Sequence, residues 1–384
     1  NFNFKIMNNF FKNLKPRIVF IIPCLLVIIM ASCTKEIDLY SVPPVIDLSQ
    51  KSNNIEMFMG ETLNFSATKM NDSEYDEEWS LGDNVTSSLA TYDFIPEKSG
   101  TYILTYKSSN DAGVFRNKYT IKVKAVIRPV TDESNRYVTS LIDYLPAPGQ
   151  FINTSLGSEV GAKTIEGKKG LVSLGGWGGS VSYAFDHTVI NTADSNDLRV
   201  YGNAMPNFAE PGIVWVMQDE NANGIADDTW YEIKGSADDL AGTIKKYSVT
   251  YTKPDPITAD VPWTDSEGNS GVVATNVFHK QSYYPEAVTE DSYTLTGTIL
   301  SSNNIDMSNP RFITSAPFNS GYADNTAGGD EIDIDLAIDE EGNTVSLTGI
   351  DFIKIQTAIQ ANMGWLGELS TEVTGIADLN MLND

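Results

Sequence analysis

Residues 171–234 constrain the fold more than any other stretch. They read LVSLGGWGGSVSYAFDHTVI, then DLRVYGNA, then EPGIVWVMQDENANGIADDTWYEIK. Three apolar strand patterns are set off by a Gly-rich turn, an acidic patch and the loop DENANGIADD. β-type runs of this length, bounded by turn residues, point to antiparallel sheet rather than helix. The same pattern recurs along the chain. After residue 138 it continues as KKYSVTYT, GVVATNVFH, SYTLTGTIL, EIDIDLAI, TVSLTGIDFIKIQTAI and STEVTGI, with VTSLIDYL open to either helix or strand. Acidic-Gly turns at residues 265–269 and 339–343 are hairpin signals. In EIDIDLAI, alternation puts Ile332, Ile334 and Leu336 on one face and Asp333 and Asp335 on the other, a solvated one.

The predicted fold class is all-β, an Ig-like sandwich followed by a larger jelly-roll-like sandwich. The expected boundaries are a lipoprotein signal peptide at 1–32, a tether at 33–42, the first sandwich at 43–125, a linker at 126–137 and the second at 138–384. The signal reading rests on Lys12, Lys15 and Arg17 before an apolar run from Ile18 to Ala31. That run is shorter than the roughly 20 apolar residues of a membrane span. It ends Ala31-Ser32-Cys33, which resembles a bacterial lipobox, and the resemblance implies a lipidated Cys33 as mature N-terminus and an outer-membrane lipid as partner. The other cysteine, Cys24, lies inside the apolar run, so the mature chain has no pair for a disulfide.

The charge is strongly acidic, 51 Asp plus Glu against 26 Lys plus Arg, net −25. Removing residues 1–32 takes away Lys5, Lys12, Lys15 and Arg17 and no acid. Nucleic acid is excluded as a partner, since phosphate binding needs a basic face. Divalent cations suit such a surface. Asp219, Asn221, Asn223, Gly224, Ile225, Asp227 and Asp228 follow the D-x-[DN]-x-[DN]-G-x-x-D spacing of a calcium loop, with Ile225 supplying a carbonyl. The twelfth position is Trp230 and the flanks are strands, so the loop resembles compact dockerin-type calcium loops rather than an EF-hand. A structural Ca²⁺ is expected; an ion-free acidic hairpin is the alternative.

Residues carrying enzyme chemistry are sparse. The two histidines, His187 and His279, are each read as structural or surface groups, and Asp186 is expected to point away from His187 across the strand. H-E-x-x-H, G-x-S-x-G and a reactive cysteine are absent from the sequence. Gly175-Gly176-Trp177-Gly178-Gly179 lacks the lysine and following helix of a phosphate loop. Its glycines allow a tight turn that exposes Trp177. Trp177, Trp263, Tyr283, Tyr284 and Trp365 all lie beside Gly, Pro or Ser and are the predicted ligand-binding rings, with core packing the alternative for each. Trp79 and Trp215 are read as core.

Two resemblances add to this. Gly60-Glu61, Trp79, Phe94, Pro96, Gly100-Thr101-Tyr102, Tyr106 and residues 110–113 make the first sandwich resemble a PKD domain, which implies a spacer. The segments LGGWGGSVSYAFDHTVIN, DLRVYGNA, EPGIVWVMQDENANGIADDTWYEI and IDFIKIQTAI make the second resemble the PKD-bearing cell-surface lipoproteins of gut Bacteroidota. That resemblance implies a surface-exposed, outer-membrane, non-catalytic protein that captures a nutrient, such as a corrinoid, for a TonB-dependent transporter. A glycan-binding module, a carboxylate-dependent glycosidase and a structural adhesion protein are the rival readings.

Overall fold

A computed structural model describes residues 41–382. The predicted signal, Cys33 and most of the tether lie outside the described residues. Among the described residues every regular element of any length is a strand, and helix is confined to single turns such as Glu159–Ala162. No helix among the described residues is long and apolar enough to cross a membrane.

The chain divides into two compact units, and their limits cut across the expected boundary at residue 125. One comprises the chain up to Gln50, Ser66–Tyr92 and Thr105–Asn117; the other comprises Lys51–Phe65, Asp93–Leu104 and everything from Lys118. In the first unit, Ile46–Leu48 pairs antiparallel with the end of Leu63–Lys69. A hairpin over Gly82 joins Asp76–Leu81 to Asn84–Ser87. Trp79 is fully buried, as expected, with its ring 4.6 Å from Tyr106 and its indole N–H donating to the Leu89 carbonyl at 3.1 Å.

The second unit is built on a seven-stranded sheet. Its main path runs Ala337–Ile338, Tyr231–Ile233, Gly212–Met217, Gly349–Thr357, Ser180–Ile190, Ser140–Leu145, with Tyr322–Ala323 also on Gly212–Met217. The strands flanking the central one come from residues 171–234, and VTSLIDYL resolves as strand. Gly349–Thr357 pairs Ile355 with both Val181 and Val214 and is buried throughout except at Lys354. Ile350, Ile353 and Ile355 join Tyr183, Val214, Ile233 and Ile376 in one core, while Phe352 packs with Ala184 and Met217. Leu198–Tyr201, the third of the 171–234 strands, instead joins a separate sheet with Asp330–Ile332 and Gly375–Asp378. A third sheet carries Ile244–Thr252, Val261–Asp265, Ser270–Val273 and Ser292–Ile299.

Both acidic-Gly hairpins form. Asp265 donates its N–H to the Asn269 carbonyl, Asp339 does the same to Asn343, and Gly268 and Gly342 take positive φ. Three expectations are corrected. EIDIDLAI is not one strand: it breaks at Asp333, whose side chain caps a 3-10 turn by accepting from the Asp335 N–H. Leu336 then turns outward. GVVATNVFH leaves the sheet after Val273. Residues 126–137 are no free linker but lie along the second unit, with the Val126 N–H on Glu220, Arg128 bonded through its backbone to Thr188, and Tyr137 bridged to Ala377.

Candidate functional site

A cavity of about 430 Å³ opens in the second unit between the loops around residues 150, 205, 278 and 365. Its walls are aromatic and apolar, including Phe151, Phe208, Phe278, His279, Met363 and Trp365. Phe278 is 74% and Trp365 58% exposed, an unusual cost for large apolar rings unless something covers them. Local chemistry explains the presentation. Trp365 rides a 3-10 turn between Gly364 and Gly367, both at positive φ, a conformation that favours glycine. The Met363 N–H closes that turn on the Gly367 carbonyl at 2.7 Å. Phe278 and His279 follow Asn276, whose side-chain oxygen accepts both their N–H groups at 3.0 Å. Gln150 ties the two loops together: its Nε2 donates to the Leu366 carbonyl at 2.5 Å and its Oε1 accepts from Asn276 Nδ2 at 2.8 Å.

The same cavity reaches a floor of acids. Glu210 and Glu372 line it. With Asp324 behind them, they form the one group of three acidic, His or Cys side chains among the described residues whose ligand atoms lie within 4.8 Å of one another. Glu372 and Asp324 are buried. Burial is the main force raising the pKa of each of the three, and neighbouring carboxyls reinforce it at Glu210 and Asp324. A carboxyl oxygen of Glu210 and one of Glu372 lie within 4.8 Å of each other. Glu372 Oε1 also accepts from the hydroxyls of Ser173 and Ser370. Asp324 accepts from the N–H groups of Asn203, Ala204 and Glu372. The floor is therefore a cluster of carboxyls whose pKa values burial raises, with Glu372 and Asp324 held by hydroxyl and backbone donors. Sequence reasoning missed it because the three acids are far apart in the chain and none sits in a motif.

The predicted ligand rings fare unequally. Trp365 lies on the cavity. Trp177, Tyr283 and Tyr284 are buried, which corrects the expectation that turn context presents them. The glycines around Trp177 serve close packing instead. A Cβ at Gly178 would sit 2.8 Å from Leu295, and one at Gly179 1.9 Å from the Leu174 carbonyl oxygen. The indole meets Tyr247 edge-on at 4.8 Å. Tyr283 serves the site from behind, its hydroxyl accepting the Asn276 N–H at 3.2 Å. Trp263 is half-buried on a second, smaller cavity that Trp177 also lines.

His187 is buried and bonded to Asp378 at 3.0 Å and to Asp186 at 2.7 Å, so the expected divergence of Asp186 and His187 is also corrected. The ladder shifts register between Ala184 and Val189, and the bulge breaks strict alternation there. Lys354 packs its ammonium over Trp215 and Trp230, at 4.7 and 5.0 Å, and burial lowers its pKa to about 8. Trp215 is accordingly only partly buried.

In the 219–228 loop, Asp219 is buried and accepts the N–H groups of Asn223 and Gly224 at 3.0 and 2.8 Å. Asn223 Oδ1 accepts from Ile225, and Asp228 accepts from the Glu220 N–H. Ala222 and Gly224 take positive φ to close the curl. Asp219, Asp227 and Asp228 do not gather into a three-carboxylate cluster. The loop is thus closed by its own backbone donors.

No protein-family model matches the chain, and no curated protein matches it. Solved structures with some likeness include a SusE-like protein, at 7% identity over 87% of this chain and 96% of that one, with a TM-score of 0.23. Fibronectin(III)-like modules of Clostridium thermocellum CbhA match at 12% identity over 59% and 89%, TM-score 0.20. A quinonprotein alcohol dehydrogenase-like protein from Bacteroides thetaiotaomicron matches at 11% identity over 61% and 41%, TM-score 0.20, so this chain spans less than half of it. At such scores these likenesses carry no argument. The all-β class stands on the described strands, and the PKD-lipoprotein resemblance rests on the sequence segments alone.

The buried acids fix a pH dependence. Burial pushes Glu368 up to about 8, and Glu210, Asp324 and Glu372 shift the same way. Folded, these groups keep protons that the unfolded chain has released above about pH 4.3. The Glu368 contribution to stability is therefore complete at low pH and is lost as pH rises through about 8, and those of Glu210, Asp324 and Glu372 fall in the same direction. Thermal melting followed from pH 5 to pH 8 on the order of these pKa values should fall, and Glu368→Gln should flatten part of that slope. An unchanged slope in the variant would show that Glu368 is ionised throughout.

Proposed function

We propose that the protein is a non-catalytic surface binding protein that captures a small organic ligand in the aromatic cavity, with the ligand's apolar body on Phe278 and Trp365 and a donor group on the Glu210–Glu372 floor. The exposure of those two rings beside a built acid floor is the observation that carries this reading. Rings held out by hydrogen-bonded turns are preorganised for contact and lose little on binding. A glycosidase reading has less support. A retaining pair stands about 5–5.5 Å apart and an inverting pair farther, flanking the scissile bond. Here oxygens of Glu210, Asp324 and Glu372 all lie within 4.8 Å of one another, closer than either arrangement.

Cobinamide, which the family resemblance implies, a glycan panel, and tryptamine as a bare aromatic amine are the probes. At least one should bind saturably by calorimetry, and Trp365→Ala and Phe278→Ala should each weaken it about tenfold or more with unchanged melting. If no probe class binds, or both variants bind as the parent does, the cavity is not the site.

Surface anchoring through Cys33 belongs to the same proposal, motivated by the lipobox-like Ala31-Ser32-Cys33. Cys33→Ser should move the protein from the membrane to the soluble fraction of expressing cells; full retention on the membrane rules out the anchor.

Calcium at the 219–228 loop is likewise a proposal, supported by the D-x-[DN]-x-[DN]-G spacing and the curled backbone. Asp219, Asn221, Asn223, Asp227, Asp228 and the Ile225 carbonyl would hold the ion after small rearrangement of the side chains. Since ion binding stabilises only the folded state, excess Ca²⁺ should raise the melting temperature of the parent but not of Asp219→Asn. Identical melting in calcium and in chelator defeats the idea.

A further inference from the structure

The larger cavity brings two features together over one space. Its walls are rings and thioethers, among them Phe208, Phe278, Trp365, Met205 and Met363. Met205 stands exposed on a tight turn: its N–H donates to the Phe208 carbonyl at 3.3 Å, its carbonyl accepts the Phe208 N–H at 2.9 Å, and Asn207 takes positive φ. Phe312 braces the Phe208 ring edge-on at 5.6 Å. The charged groups that line the cavity are acids, Glu210 and Glu372, and among the described lining residues there is no Lys or Arg.

Glu210 is the acid that a ligand in the cavity reaches. It is partly exposed, and its backbone is pinned on both sides. Its N–H donates to the Asp324 carbonyl at 2.9 Å, and its carbonyl accepts the Thr371 hydroxyl at 2.9 Å. Asp324 and Glu372 stand behind it, and much of their acceptor capacity is taken. Asp324 Oδ1 accepts the N–H groups of Asn203 and Ala204, its Oδ2 accepts that of Glu372, and Glu372 Oε1 accepts two hydroxyls. Ca²⁺ asks for roughly six to eight oxygens, and rings and thioethers do not supply them.

The walls and the floor together restrict the organic ligands. An anion meets carboxyls with no base beside them but His279. A neutral ring uses the walls alone. An organic cation uses both, because an aromatic face attracts an ammonium group and a carboxylate pairs with it. Burial raises the pKa of Glu210, Asp324 and Glu372, so the empty floor keeps protons at pH values where a free carboxyl has lost them. A positive charge at the floor favours the ionised form, so an ammonium enters by exchange, one proton leaving to solvent as the cation arrives. The other titratable groups facing this floor are His279 across the cavity and Glu368 beside Glu372.

We propose that the ligand of this cavity is an organic cation, an alkyl- or arylammonium whose charge stands at Glu210 and whose apolar body lies on Phe278 and Trp365. This deepens the binding role proposed above and rests on it.

The test is calorimetry on the full chain with three indoles that share a ring and differ in charge: tryptamine, tryptophol and indole-3-acetate. Tryptamine should bind saturably and about tenfold or more tighter than tryptophol, with the anion weaker still. Its affinity should rise between about pH 5 and about pH 7, as the floor gives up its proton more readily. Glu210→Gln, which keeps the shape and removes the charge, should bring tryptamine down to the level of tryptophol and abolish the rise. Glu372→Gln is the second variant, with the same expected loss, should Glu210→Gln melt early. Tryptophol binding as tightly as tryptamine overturns the proposal, and so does a preference for tryptamine that survives both variants. A rise with pH that persists in Glu210→Gln belongs to His279 and overturns the exchange at the floor. If cobinamide or a glycan binds saturably and tryptamine does not, the cavity is a site for another class and the cation alone is refuted. If nothing binds, the reading of the cavity as the site has failed, and the cation falls with it.

Discussion

The second unit depends on one buried strand. Gly349–Thr357 has paired neighbours on both edges, and eight of its nine residues are buried. Such a strand tolerates a charge only where partners surround it. Asp351 is the case in point. Burial raises its pKa, and it is held by Arg128 Nη2 at 2.9 Å, the Thr188 hydroxyl at 2.6 Å and the Asp219 N–H at 2.8 Å. Those three partners come from the segment expected as linker, from the Ser180–Ile190 strand and from the 219–228 loop. One carboxylate thereby sets the register of the central sheet and pins two connecting segments to it.

The strand also dictates where the cavities form. Leaving the sheet at Thr357, the chain stays buried through Ile359 and then loops out over residues 360–372. One side of that loop carries Trp365, Ser370 and Glu372 to the larger cavity, and the other carries Gln360 and Glu368 to the smaller. Both cavities open among loops on a rigid sheet, the usual place for recognition groups. Burial raises the pKa of both acids on this loop, Glu368 to about 8, in a chain with 51 acidic residues against 26 basic ones.

Much of this architecture was legible in the sequence, and the limit is physical. Strand existence follows from local alternation, so SVSYAF, GIVWVM, KKYSVTYT and IDFIKIQT all form strands where the pattern puts them. Asp265 and Asp339 announce their hairpins because an Asp side chain and a Gly at positive φ act within five residues. Which face a ring takes is another matter. Trp177 and Trp365 both sit between glycines. In one case the glycines let Leu295 and the Leu174 carbonyl close over the ring, and in the other they hold a tight turn outward. Only tertiary partners decide between these. The acid floor was illegible for the same reason, since Glu210, Asp324 and Glu372 meet through three separate elements. Asp186 could not be placed from alternation, because a bulge is set by the partner strand's register.

Gln150 shows how closely the two cavities are joined. Its backbone N–H holds Glu368 Oε1 at the smaller cavity, while its side chain holds Leu366 and Asn276 at the larger. A Cβ at Gly149 would fall 2.5 Å from that same Glu368 oxygen, so the chain can pass only with glycine there. The Gln281 side chain donates to the Gln150 carbonyl at 2.5 Å and closes the arrangement from the loop that carries Phe278. Every polar group of Gln150 is thus committed, and none is free to adjust by itself. A shift of Glu368 toward or away from its cavity must be taken up by the Gln150 backbone, and the loops bearing Phe278 and Trp365 are fastened to that residue's side chain. The two cavities therefore share one rigid support, and the geometry of each is a boundary condition on the other.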